Sequence, residues 1–179
     1  MRHVIRILLL LSFFMFGTPT TNFSNAPQNY PEQRLVVIMI DIPKRELLSK
    51  PGEEPYRVGN KLYVKVLVKN NSDQRIMVRL VDPYYQNCPQ LVRNGSLIPY
   101  RKKIAELVSS KNADPEFVSL GRFVSVAPYA SADLTELDLN DWFGNLEPGS
   151  YRLVNRYRLG IDGPWTADSA PLLFQVVAR

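Results

Sequence analysis

Four carboxylates fall within nine residues, at Asp133, Glu136, Asp138 and Asp141. Acids at that density could do two kinds of chemistry. They could gather the roughly six to eight oxygens that a calcium ion takes, or two of them could face each other across a cleft as general acid and base. Neither pattern is written out. No D-x-D-x-D-G loop occurs, and acids spaced along one strand fan out rather than converge. The plainer reading is a solvated edge, with these acids paired to Lys61, Lys65 or Lys69. Exposed pairs of that kind contribute about 0–1 kcal/mol each. The only histidine, His3, lies in an N-terminal stretch assigned below to export, so the mature chain carries no imidazole. Ser-His-Asp and Cys-His machinery is therefore closed to it. So are His-based zinc, copper and iron sites, and the lone Cys88 cannot form a thiolate cage. The nine glycines occur singly, leaving no phosphate-binding loop. No metal, no cofactor and no catalytic activity is expected. A carboxylate-only enzyme would need two acids within about 10 Å across a pocket.

Other side chains suit binding. Arg75 and Arg79 alternate on one predicted strand, and Arg152, Arg156 and Arg158 point outward from another. Such cations could hold an acidic polymer or a protein partner, or could merely keep a sheet face soluble and discourage edge pairing. Tyr84, Tyr85 and Trp165 fall in predicted loops at 82–90 and 160–168, where sandwich domains carry function. Their rings could stack on sugars or pack locally. Trp142 is assigned to the core.

Strands must position these groups. Residues 34–42 form a β-branched run suited to a buried first strand, and 43–55 hold three prolines and read as an irregular loop. Residues 61–69 alternate, with Leu62, Val64, Val66 and Val68 on one face and Lys61, Tyr63, Lys65 and Lys69 on the other. A turn cluster, Asn70-Asn71-Ser72-Asp73, follows. Residues 75–82 alternate again, with Arg75, Met77 and Arg79 outward, so the two runs are expected to form an antiparallel hairpin. Asn94-Gly95 marks a second hairpin within 91–98. Ile104, Leu107 and Val108 have helical spacing, which places one short helix at 101–111. Strands are predicted at 122–126, 130–139, 151–159 and 172–178. The total is about seven to nine strands with at most one short helix, the pattern of an all-β sandwich.

Leu146-Glu147-Pro148-Gly149-Ser150-Tyr151 resembles the L-x-P-G-x-Y corner of bacterial immunoglobulin-like and fibronectin-type β-sandwich domains. The partly acidic segment 132–143 before it is similar to those domains too. So is the final strand, Ser169-Ala170-Pro171-Leu172-Leu173-Phe174-Gln175-Val176. The resemblance implies an immunoglobulin-like antiparallel β-sandwich in which Pro148, Gly149 and Tyr151 form a structural corner and the tyrosine hydroxyl bonds back to the turn. It also implies that the third and sixth strands share a sheet, which would bring the five arginines onto one face. A fold of this kind does not specify an activity. Residues 69–73 and 148–151 are also similar in outline to small bacterial serine-protease inhibitors, although Asn94 to Tyr100 replaces their central G-K-x-V-W stretch.

Residues 1–26 run from a basic lead through an apolar stretch to a small, polar end, the anatomy of a secretory signal peptide. The apolar part is about ten to twelve residues, short of the roughly 20 that span a bilayer. Uncleaved, it would serve as an anchor. No second apolar stretch reaches spanning length. Residues 27–179 are then one domain, large enough to bury a core without disulfides. Of the 22 basic and 17 acidic side chains, removing 1–26 takes only Arg2 and Arg6, leaving a net charge of +3. That balance argues against a nucleic-acid partner. The expectation is an exported, periplasmic or extracellular, non-catalytic module that binds a protein or glycan at the cell envelope. The alternative is a secreted protease inhibitor.

Overall fold

The structure, a computed structural model, describes residues 35–42, 56–114 and 121–178. The predicted signal peptide and the proline-rich loop at 43–55 lie outside the described residues. The ten described strands are β1 (Val36–Asp41), β2 (Tyr56–Arg57), β3 (Tyr63–Asn70), β4 (Ile76–Leu80), β5 (Asn87–Arg93), β6 (Ser96–Ile98), β7 (Arg122–Val126), β8 (Ser131–Asp138), β9 (Gly149–Tyr157) and β10 (Leu172–Val177). The three helices are α1 (Pro83–Gln86), α2 (Lys102–Ala113) and α3 (Leu139–Phe143). The fold is all-β. Three sheets run in the orders β1-β3-β8, β2-β10-β9-β5-β6 and β4-β7, and every pairing is antiparallel except β2 with β10.

The strand and helix counts both exceed the sequence expectation. The extra strands are short, β2 having two residues and β6 three. The extra helices are single turns set by aspartate caps. The Asp82 carboxylate accepts the amides of Tyr84 and Tyr85, with Pro83 in the first turn. The Asp138 carboxylate accepts those of Asn140 and Asp141. An aspartate that satisfies two otherwise orphaned amides can start a helix too short to show apolar periodicity. The helix expected at 101–111 is α2, with Ile104 buried.

The alternation on β3 sends Val64, Val66 and Val68 inward to full burial. Burying each such side chain is worth about 1.5–3 kcal/mol. Both edges of β3 are occupied, by β1 and β8. This overturns the expected hairpin between 61–69 and 75–82. No edge of β3 remains for β4, which pairs with β7 instead. The β3–β8 register also shifts: Val66 faces Thr135 but Leu67 faces Asp133. The extra residue, Leu134, is buried, and beyond this bulge the inward position moves to Leu137.

Side chains from the three-stranded and five-stranded sheets enter one apolar cluster, which includes Val64, Val66, Leu137, Trp142, Leu153 and Phe174. On β9 the inward face carries a fully buried polar residue, Asn155. Its Nδ2 donates to Asn87 Oδ1 at 2.9 Å, its Oδ1 accepts the Cys88 amide at 3.1 Å, and its own amide donates to Ser169 Oγ at 3.0 Å. A buried amide whose oxygen and nitrogen are both paired in this way avoids the larger cost of an orphaned polar group. The Asn94-Gly95 hairpin joins β5 to β6 with φ of 48° and 86°, the left-handed pair that a two-residue turn requires.

Candidate interaction surface

The β4–β7 ribbon is held at both ends by buried amide side chains. At one end Asn70 Nδ2 donates to the carbonyls of Gln74 (2.7 Å), Val126 (3.3 Å) and Ala127 (3.1 Å), while its Oδ1 accepts Ser72 N and Oγ. At the other end Gln86 Oε1 accepts Val81 N at 2.6 Å, and Nε2 donates to the carbonyls of Arg79 (2.8 Å) and Arg158 (2.9 Å). Both amides donate and accept across the ribbon's ends, Asn70 with backbone and Ser72 and Gln86 with backbone alone, so the ribbon is fixed in orientation.

Register divides the ribbon into two faces. Ile76 pairs with Val126 and Val78 with Val124, and Val78 and Val126 are buried. Met77 pairs with Ser125 and Arg79 with Phe123 on the opposite face. Met77 is 58% exposed and Phe123 61% exposed. The Arg79 guanidinium lies 5.8 Å from the Phe123 ring centre, and Arg75 Nη1 donates to Ser125 Oγ at 2.9 Å. Met77 thus stands in the open between two arginines, and Phe123 stands in the open beside one of them. No residue of β4 or β7 is acidic.

The other predicted contact residues are placed elsewhere. β4 and β9 belong to different sheets, so the five arginines do not share one sheet face. The reason is again that β4 found its partner in β7. Arg152 is exposed on the five-stranded sheet, in a row running Leu173, Arg152, Val92, Leu97 across four strands. Arg156 Nε lies 3.3 Å from Asp168 Oδ1, too poorly aligned for a hydrogen bond. Arg158 is clamped between rings, 4.3 Å from the centre of Tyr85 and 4.5 Å from that of Trp165, and Nη2 donates to Asn112 Oδ1 at 2.9 Å.

The three aromatics expected in open loops are packed. Tyr85 is 1% exposed, in α1, and its hydroxyl donates to the Ile161 carbonyl. Trp165 is half-buried, with Arg158 against it. Tyr84 packs 5.2 Å from Trp142, and its hydroxyl donates to Asp141. That bond, reinforced by burial, pushes the Tyr84 hydroxyl up to about 12. Aspartate-capped α1, not a loop, carries both tyrosines, and so turns them onto protein.

At the corner, the Tyr151 hydroxyl donates to the Glu147 carbonyl at 2.6 Å. Burial pushes its pKa up. Gly149 lies beneath Arg93, where a Cβ would come within 3.2 Å of Cγ and Cδ, and Arg93 is paired with Glu147. A pocket of about 410 Å³ opens beside this corner, lined in part by Leu97, Pro99, Phe143 and Leu146. Its cation and its hydroxyl are already engaged with the turn.

Of the clustered acids, Asp133 pairs with Lys65 at 2.7 Å and Asp138 with Lys61 at 3.9 Å. Asp141 lies 3.8 Å from Arg101. Among the described residues no group of three His, Cys, Asp or Glu side chains could hold a metal ion. Cys88 is free and half-buried, its Sγ 3.8 Å from the Tyr100 hydroxyl, which burial pushes up strongly. Among the described residues no helix is long and apolar enough to cross a membrane.

Sequence reasoning passed over Met77 and Phe123. Met77 had a signal, an apolar side chain at an outward position between two arginines. Phe123 had none, because its face is known only once the β4–β7 register is known. Neither a scan of protein-family models nor a search of curated proteins finds a match to the chain.

Proposed function

We propose that the chain is an exported, non-catalytic interaction module that holds a protein partner on the outer face of the β4–β7 ribbon. It works in the periplasm or outside the cell, on an immunoglobulin-like sandwich. One observation carries the reading: Met77 and Phe123 stand more than half exposed and diagonal to each other, on a ribbon pinned at both ends. Exposing two large apolar side chains on a fixed surface forgoes burial worth about 1.5–3 kcal/mol each, which a partner would recover. Methionine, arginine and an aromatic are also the types enriched at protein interfaces. Packing of Tyr84, Tyr85 and Trp165 weighs against a sugar-stacking platform. The sandwich is supported by the two larger sheets sharing one apolar cluster and by the Tyr151 bond to its turn. Export is supported by the tripartite N-terminus.

The test is a photo-crosslinking residue placed at position 123, with position 103 on α2 as control, in cells that make the protein. A discrete protein adduct formed from 123 and not from 103 is expected. Identical patterns from both positions would dismiss the reading.

A further inference from the structure

We propose that the outer face of the five-stranded sheet seats an amphipathic helix of a partner protein, one that sets a single carboxylate among three apolar side chains. This face belongs to a different sheet from the β4–β7 ribbon and is a second contact surface. Register puts Leu173 of β10 beside Arg152 of β9, Arg152 beside Val92 of β5, and Val92 beside Leu97 of β6. Residues directly opposite in a ladder leave on the same side, so the four form one row across the strands. Leu173 is 70% exposed and Leu97 65%, Arg152 is exposed, and Val92 is half-buried. The row is therefore apolar at both ends and carries one open cation.

The cation decides the sign of the partner. None of the five strands contains an acid. Among the described residues Arg152 has no ion pair and no side-chain hydrogen bond. Covering a guanidinium without a counter-charge is strongly unfavourable, so a wholly apolar lid is disfavoured. A second copy of this face fits no better, because it brings another arginine and no acid. A carboxylate meets the guanidinium as a two-bond fork, and the bond strengthens once neighbouring leucines exclude water.

The spacing decides the shape. Neighbouring strands lie about 4.8 Å apart, so the row spans roughly 14 Å in three steps. A helix rising about 1.5 Å per residue meets those steps at i, i+3, i+7 and i+10, to within about 1 Å. The same four positions share one helix face. An extended segment returns a side chain to one face only every 6.6 Å or so, and over this length offers three side chains where the row has four. The set of four reads alike from either end. A carboxylate at i+3 lays the helix with its N-terminus on Leu173, and one at i+7 lays it the other way.

The experiment uses the full chain and two fluorescent helical peptides rich in alanine and glutamine. One carries glutamate at i+3 and the other at i+7, with leucine at the remaining three positions. At least one should bind in an anisotropy titration, more weakly as salt is added. In that peptide, exchanging glutamate for glutamine, or the leucines for serine, should weaken binding about tenfold or more. The protein variants Arg152→Gln and Leu97→Ser/Leu173→Ser should do the same, with unchanged urea midpoints to show that they fold. Arg152→Glu should regain binding when the peptide carries lysine in place of glutamate. Met77→Ser/Phe123→Ser, on the ribbon, should leave binding as it is. The proposal is overturned if neither peptide binds, or if Arg152→Gln, the glutamine peptide or a peptide with the same residues scattered around the helix binds equally well. Loss of binding in the ribbon variant overturns it too, by moving the peptide to the other surface. Crosslinking from position 123 tests the ribbon alone, so the two surfaces stand or fall separately.

Discussion

On β3 the outward Lys65 looks across at Glu136 and pairs with Asp133, and Asp41 of β1 faces it from the other side. On β4 the outward Arg79 looks across at Phe123, and Arg75 reaches Ser125. The two faces are written in the same period-two alternation. One pairs its cation with an acid across the sheet, and the other has no acid on either of its strands and exposes its apolar residues. A self-paired face needs nothing further and stays solvated. A face with two open apolar side chains has burial still to gain, which is why the proposed partner surface lies on the ribbon.

The joint between these regions is Asn70, and breaking it has the largest expected effect. Asn70→Ala leaves three carbonyls and the Ser72 groups without their partner and should cost about 3 kcal/mol in urea denaturation. A loss below about 1 kcal/mol would mean that the ribbon is not held there. Gln86→Ala removes three bonds at the opposite end and should cost about 2 kcal/mol by the same measurement.

Tyr84 tests a third arrangement, an acid of the 133–141 run that has left the sheet to accept a hydroxyl. Its pKa is raised to about 12 by the Asp141 bond first and by burial second. The folded state therefore favours the neutral phenol. That contribution is whole below pH 10 and disappears as pH rises through about 12. Allowing for solvent screening at this partly open site, it is worth about 1 kcal/mol. Wild-type stability should fall more steeply across that window than that of Tyr84→Phe; parallel curves would refute the assignment.

The smallest effects separate the two faces directly. A Lys65→Ala, Asp133→Ala double-mutant cycle should give a coupling of about 0.5 kcal/mol that vanishes in high salt. Met77→Ser/Phe123→Ser should change stability by no more than about 0.5 kcal/mol while abolishing the crosslink from a probe moved to Ser125. A large stability loss in that variant would make the exposed pair structural and erase the contrast.

Much of the local structure was legible. The alternation at 61–69 is β3, Asn94-Gly95 is a hairpin turn, Ile104 marks α2, and the Tyr151 hydroxyl does reach its turn. Each depends on residues a few positions apart, whose backbone preferences and side-chain periodicity act before any distant contact forms. The bulge at Leu134 was hidden, because one inserted residue shifts the inward parity of β8 without disturbing its composition. The packed fates of Tyr84 and Tyr85 turned on a single aspartate cap that makes a helix where the loop signals were dense.

By itself the chain determined most of its strands, its corner and the outward direction of Arg75, Met77 and Arg79, since all of these follow from residue type and period. Tertiary structure alone decided that β4 meets β7 rather than β3, that Arg158 is clamped between Tyr85 and Trp165, and that Phe123 stands beside Arg79. A strand's two edges are alike in sequence, and which of them is filled depends on segments tens of residues away competing for the same backbone donors and acceptors.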